Sequence, residues 1–290
     1  MFPEGQPRRR VLGGLIAAGA GTLAAASAVP ATAAPASTPA SAPSSVSSRS
    51  GGGTRPTVVL VHGVFADASG WNEVAARLLR AGFPVIAPAN PLRDLAGDSA
   101  YVAGVVDTVP RPVLLVGHSY GGEVITNAAR GHANVRALVY VAAFAPDEGE
   151  SALRLAGMFP GSELPDALLT RPFPLPGGGT GRDGYIDPAR FHDVFAQDLP
   201  ASVTRLMAVT QRPGSVDGLA SASGVPAWRD LPSWYVIPTA DRVIPAAAQR
   251  FMAERAGSTA IEVKRASHVV MMSHPDAVVR QILAAHRATR

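Results

Sequence analysis

Cysteine is absent from all 290 residues, so neither a disulfide nor a thiolate metal site can form. The compartment stays open on that count, because a chain with a large core needs no disulfide to persist outside the cell. Lysine is nearly absent as well: Lys264 is the single one among 26 basic residues. This skew goes with plentiful Arg, Gly, Ala and Pro and reads as base composition. The arginines are scattered apart from one N-terminal run, so the net charge of +4 gives no reason to expect a nucleic-acid partner. Hydrophobic residues make up 47% of the chain, enough for a sizeable core and against a disordered protein.

The N-terminal run is Arg8-Arg9-Arg10-Val11-Leu12, followed by an uncharged Gly/Ala/Leu stretch to Val29 and then Pro30-Ala31-Thr32-Ala33-Ala34. A basic region, a weakly apolar region and an A-x-A site together predict a signal peptide over residues 1–33, of the twin-arginine type used for export of folded proteins. Glycine and alanine dominate the stretch, which makes it a poor membrane span, so no stable membrane anchor is expected. Residues 34–55 are Ala, Ser, Pro, Thr and Gly almost throughout and predict a disordered linker. One folded domain over 56–290 is expected.

Within it, continuous apolar β-branched runs alternate with helical spacing. Strands are predicted at 57–61, 83–87, 112–116, 135–143, 234–238 and 260–263, and helices at 71–81, 100–109, 124–130, 246–256 and 276–287. Strict alternation of this kind predicts an α/β fold with a mostly parallel sheet covered on both faces. Residues 146–229 interrupt the pattern with many Pro and Gly and short helical stretches at 191–195 and 202–209. They predict an insertion over one end of the sheet.

The third strand runs into Gly117-His118-Ser119-Tyr120-Gly121-Gly122, a G-x-S-x-G turn before a helix. Glycines two before and two after the serine let a sharp turn close while its hydroxyl projects. A serine hydroxyl is a weak nucleophile until a histidine takes its proton, and the histidine must be oriented by a carboxylate. Asp241, in the loop after the strand at 234–238, is the expected acid; Asp147 is the alternative, in a turn that reads as solvated. His268, in the loop after the last strand, is the expected base. His274 precedes Pro275-Asp276, which marks a helix start. The oxyanion of a tetrahedral intermediate needs two backbone N–H donors, expected from Tyr120 and from Val64 in the loop His62-Gly63-Val64-Phe65. His62 and His118 are expected to brace the loops through hydrogen bonds. His132, His192 and His286 have no partners at ligand spacing, so no metal site is expected.

At these residues the chain resembles the α/β-hydrolase superfamily over about 56–290, through V-L-V-H-G-V-F-A-D-A-S-G-W, G-H-S-Y-G-G, T-A-D-R-V-I-P and A-S-H-V-V-M-M-S-H-P. It looks closest to the small serine esterases that include plant methyl-ester esterases and hydroxynitrile lyases. In that group a T-x-D-x-x-I-P loop carries the acid and an H-x-x-M-x-S-x-P run opens with the base, which the resemblance carries onto Asp241 and His268. It also carries an oxyanion donor onto Val64. The similar lyases have a lysine after the catalytic histidine and a threonine near the first loop; Val269 and Gly63 stand here, which argues against lyase activity. The resemblance implies an α/β-hydrolase fold with a cap insertion. It also implies cofactor-free hydrolysis of a small, apolar carboxylic ester. Phe65, Met158, Phe159, Phe195 and Trp228 are the expected substrate-binding residues. Acyl transfer or lactone hydrolysis by the same triad, and ligand binding on a hydrolase scaffold, are the alternatives.

Overall fold

In the computed structural model, residues 55–290 are described, so the signal-peptide and linker readings lie outside the described residues. The chain runs β1 (Thr57–Val61), α1 (Asn72–Arg80), β2 (Val85–Ile86), α2 (Leu95–Asp107), β3 (Val113–His118), α3 (Tyr120–Ala128) and β4 (Val135–Val141). It continues through α4 (Ala152–Ala156), α5 (Leu164–Ala167), β5 (Leu168–Pro174), β6 (Thr180–Ile186), α6 (Phe191–Phe195), α7 (Ala201–Thr210), β7 (Gly214–Ser215) and α8 (Val216–Leu219). Then come β8 (Ser233–Pro238), α9 (Ala246–Arg255), β9 (Thr259–Val263), α10 (Val270–Ser273) and α11 (Pro275–Ala288).

Six strands form one sheet in the order β2-β1-β3-β4-β8-β9, with every neighbouring pair parallel. The central strands β1, β3 and β8 are buried along their whole length, as continuous apolar runs require when helices cover both faces. Because all strands point the same way, the loops after β1, β3, β8 and β9 open at one edge of the sheet. The sequence expectations for these strands and helices hold within a few residues, with two instructive shifts. Helix α2 begins five residues earlier than expected because Asp94 caps it, accepting from the Gly97 N–H at 2.7 Å. Helix α3 begins directly at Tyr120, through glycines that periodicity alone reads as loop.

The insertion is more ordered than its composition suggests. Helices α6 and α7 lie where helical spacing predicts them. The Pro- and Gly-rich run instead forms an antiparallel hairpin, β5–β6, turning at Gly177, Gly178 and Gly179, all at positive φ, and β7 completes a three-stranded sheet. Pro172 and Pro174 are tolerated because β5 is an edge strand. The insertion caps the C-terminal edge of the main sheet. The Phe65 N–H donates to Arg212 O at 2.9 Å, Gln197 Nε2 donates to Ala240 O at 2.6 Å, and the Ser267 N–H donates to Asp198 Oδ2 at 2.9 Å. No helix among the described residues is long and apolar enough to cross a membrane.

Backbone crowding at the β3–α3 turn sets a clear stability contrast. A Cβ on Gly121 would run into the Val61 carbonyl oxygen, whereas one on Gly104, in the exposed middle of α2, would meet nothing within 4 Å. Gly121→Ala is expected to destabilise the domain by about 3 kcal/mol. Gly104→Ala is expected to stabilise it by about 0.8 kcal/mol through helix propensity. Urea unfolding midpoints of the two variants, moving in opposite directions, check both.

Candidate active site

β3 delivers Ser119 into a backbone conformation that side chains avoid, φ +55° and ψ −127°. The turn is pinned on both sides: the Ser119 N–H points to Val141 O and Ala142 O at 3.3 and 3.2 Å, and its C=O accepts from Gly122 and Phe144 N–H at 3.0 and 3.1 Å. The flanking glycines are sterically required. A Cβ on Gly117 would lie 2.5 Å from Gly121 O, and one on Gly122 would strike Phe144 O. Gly63 closes the turn from the β1 side, since a Cβ there would lie 2.6 Å from Ser119 Cβ and 2.8 Å from His118 O. This contact places the following residue, Val64, beside the Ser119 turn. Among the described residues the N–H groups of Val64 and Tyr120 have no acceptor, and Tyr120 opens α3, at its positive dipole end.

Asp241 and His268 come together from the loops after β8 and β9. His268 Nδ1–H donates to Asp241 Oδ2 at 2.8 Å. Gln249 Nε2 donates to the same oxygen at 2.8 Å, while Oδ1 accepts from the Val243 and Ile244 N–H at 2.8 and 2.9 Å. Four donors therefore hold one buried carboxylate, and with the proton on Nδ1 the imidazole keeps a free lone pair on Nε2. That Nε2 is buried and has no partner among the described residues. His118, the residue before Ser119, ties the His268 loop to the Ser119 turn: its Nε2–H donates to His268 O at 3.0 Å, with ring centroids 4.7 Å apart. Ser119, Asp241 and His268 are 2%, 6% and 0% exposed, so the assembly is shut off from solvent.

Sequence reasoning singles out further residues with different outcomes. His62 braces the first loop, donating from Nδ1 to Gly63 O at 2.9 Å and accepting the Asn90 N–H on Nε2 at 3.1 Å. Asp147 is taken by Arg229 at 2.5 Å, in a turn apart from His268. His274 stands at the start of α11, its Nδ1 2.9 Å from Ser273 Oγ. Phe195 packs at 5.1 Å from the His268 ring, and Phe65 at 6.2 Å from Phe195. The other three expected substrate contacts are engaged elsewhere. Trp228 donates Nε1–H to Pro146 O and lies beneath Arg255, Phe159 packs on Phe251 of α9, and Met158 is exposed. They belong to the seam between the cap and its neighbours. Phe65, Val269, Met207, Met271, Met272 and Gln211 line a crevice of about 40 Å³, room for little more than one water molecule. A separate open cleft of about 670 Å³ is lined by charged residues such as Arg77, Lys264 and Asp276 and by none of Ser119, Asp241 and His268.

Gln249 and Asp198 carry no motif, and only the folded structure reveals that they hold Asp241 and the His268 loop.

A profile described as "Alpha/beta hydrolase family" matches residues 58–281. A carbendazim hydrolyzing esterase from Nocardioides sp. (strain SG-4G) is 37% identical over 113 residues, covering 33% of this chain. The match spans 46% of that esterase, less than half its length. The alpha/beta hydrolase nvfD of Aspergillus novofumigatus (strain IBT 16806) is 23% identical over 249 residues, covering 79% of this chain and 95% of its own. The crystal structure of polyneuridine aldehyde esterase superposes with a TM-score of 0.70 at 23% identity, covering 80% of this chain and 99% of that one. The α/β-hydrolase fold expected from the motifs is thus the fold of this chain.

The buried histidines make stability pH-dependent. Burial, helped by the neighbouring His268, holds His118 well below its ordinary 6.5, and burial lowers His62 as well. Above pH 6.5 both are neutral folded and unfolded, and the fold carries no penalty. As pH falls below 6.5, the unfolded chain gains protons that the folded one refuses, and stability is lost. Asp98 and Glu123, both raised by burial, act in the opposite sense. A comparison of variants isolates the histidine: the stability gap between wild type and His118→Gln should narrow by about 1 kcal/mol from pH 7.5 to 5.5, read by urea unfolding.

Proposed function

This chain belongs to the alpha/beta hydrolase family, and from that premise we propose that it is a serine esterase acting on small, apolar carboxylic esters. One observation carries the reading: His268, oriented by Asp241 through Nδ1 and tied by its carbonyl to His118 next to Ser119, keeps a buried Nε2 that has no partner among the described residues, as do the N–H groups of Val64 and Tyr120. The name of the Nocardioides relative, an esterase, agrees with it.

In this mechanism Ser119 Oγ attacks the ester carbonyl carbon and its proton passes to His268 Nε2. Asp241 holds the tautomer and stabilises the imidazolium. The carbonyl oxygen becomes an oxyanion and takes the N–H groups of Val64 and Tyr120. Collapse breaks the bond to the alcohol oxygen, which leaves with the proton from Nε2, and an acyl group remains on Ser119. Water then attacks that acyl carbon, giving its proton to Nε2, and the acid departs with Ser119 restored. No cofactor enters any step. Phe195, packed against the His268 ring with Phe65 behind it, supplies apolar surface beside the histidine, which favours an apolar acyl group over a charged one. Because the triad is covered, substrate entry requires the cap to move away from the Phe65 and Ser267 loops.

Turnover of p-nitrophenyl butyrate by the wild type, and its fall by about four to six orders of magnitude in Ser119→Ala with melting unchanged, is the expected result. Full activity in the alanine variant would sink the proposal. Export is proposed on the strength of Arg8-Arg9 and the Ala31-Thr32-Ala33 site. Lysines at positions 8 and 9 should then leave the protein in the cytoplasmic fraction of an expressing bacterium, and unchanged export would rule out the twin-arginine route.

A further inference from the structure

Tyr120 reaches in two directions. Its N–H is one of the two donors beside Ser119, while its side chain, 2% exposed, runs away from the site and donates its hydroxyl to Asp98 Oδ2 at 2.9 Å. Asp98 belongs to α2 and is 1% exposed. Its other oxygen, Oδ1, accepts the Arg93 N–H at 3.1 Å. The carboxyl is not needed to start α2, because Asp94 caps that helix. Burying a carboxyl is costly unless its partners are worth the desolvation, and here burial pushes Asp98 up while the Arg93 and Tyr120 bonds draw it back down. Neither bond touches the reacting atoms. One of them fixes the residue whose backbone does.

From this geometry we propose that Asp98 is a positioning residue: by gripping the Tyr120 hydroxyl and the Arg93 N–H together, it holds the Tyr120 N–H in line with the oxyanion. The proposal rests on the esterase reading of the same site. Tyr120 is the first residue of α3, so its ring and its N–H share one Cα at the end of the strained Ser119 turn. No other hydrogen bond restrains the Tyr120 hydroxyl among the described residues. Arg93 is itself clamped to the cap, donating from Nη2 to Pro213 O at 3.2 Å, pairing with Asp183 at 2.9 Å and lying over the Phe173 ring at 4.9 Å. Asp98 therefore bears on a segment that cannot easily yield, which gives it purchase on Tyr120. An N–H aimed at charge that exists only in the transition state affects the chemical step and not ground-state binding.

The test uses Tyr120→Phe, which removes one oxygen and keeps the N–H, together with Asp98→Asn and the double variant, all in the full chain. Each single variant should lower kcat on p-nitrophenyl butyrate about tenfold with KM within about twofold. Affinity for phenylboronic acid, which forms a tetrahedral adduct on a serine oxygen, should fall by the same factor as kcat. The losses in the double variant should fall short of the product of the two single ones, because both changes act on the Tyr120–Asp98 bond. If Asp98→Asn does not fold, Tyr120→Phe carries the test alone. Wild-type kcat and boronic acid affinity in folded Tyr120→Phe would overturn the proposal, as would losses that multiply in the double variant. Ser119→Ala separates the two readings. If it retains turnover, the esterase reading fails; if it is inactive while Tyr120→Phe is unimpaired, only the role of Asp98 fails.

Discussion

Peptide groups from two segments meet at close range where the loop after β1 crosses the β3–α3 turn. Gly63 lies against Ser119 and His118, and Gly121 lies against Val61 and His62. That close approach fixes how far the first loop stands from Ser119, and so where Val64 presents its N–H. It also lets α3 begin one residue after Ser119, with no acceptor for the Tyr120 N–H among the described residues. Had any of these positions carried a Cβ, the loop and the turn would separate, and the two N–H groups with them. The histidine loop is then registered to the same point through His118, whose ring bonds the His268 peptide.

The cap completes this arrangement from above. Its Arg212–Pro213 segment touches the segments on both sides of Ser119, the loop of Val64 and, through Arg93 and Asp98, Tyr120. Arg212 O accepts the N–H of Phe65, next to Val64, and Pro213 O accepts the Arg93 side chain, whose own N–H is held by Asp98. Gly214 follows, and a Cβ there would collide with the Val64 side chain. Two short strands of contact thus run from one peptide of the insertion to the two donors. Asp198 and Gln197 add a third and a fourth contact, to the loops that carry His268 and Asp241. The expectation that the insertion covers the end of the sheet understates its role, since it supports the site as well as roofing it.

Much of the fold was legible because parallel strands buried on both faces write themselves as β-branched runs, such as Thr57–Val61, that no amphipathic helix produces. Ser119, Asp241 and His268 stand out in the sequence because each lies in the turn or loop after a strand, so position along the chain implies position at one edge. The start of α2 was missed for want of weighing Asp94 as a cap. The β5–β6 hairpin was missed because Pro172, Pro174 and three glycines signal loop locally, and only pairing with a partner strand makes an edge strand of them. Gln249 and Asp98 were out of reach for a deeper reason. A polar residue in a helix reads as solvent-facing, and what turns each inward is a partner many residues away in sequence, Asp241 in one case and Tyr120 in the other. Trp228 shows the converse: an aromatic in a cap suggests a pocket wall, yet its indole N–H was claimed by Pro146.

Ser119 sits at φ +55°, where a residue with a Cβ is less stable than glycine by about 1–3 kcal/mol. The surrounding hydrogen bonds and glycine contacts are strong enough to impose that conformation regardless. The same dihedral is thus pulled in two directions over evolutionary time. Selection for stability alone would favour glycine at position 119 and leave a sturdier, inert protein. Serine there gives up folding free energy locally in exchange for a hydroxyl at the head of α3, and the stability that tolerates it must come from the core.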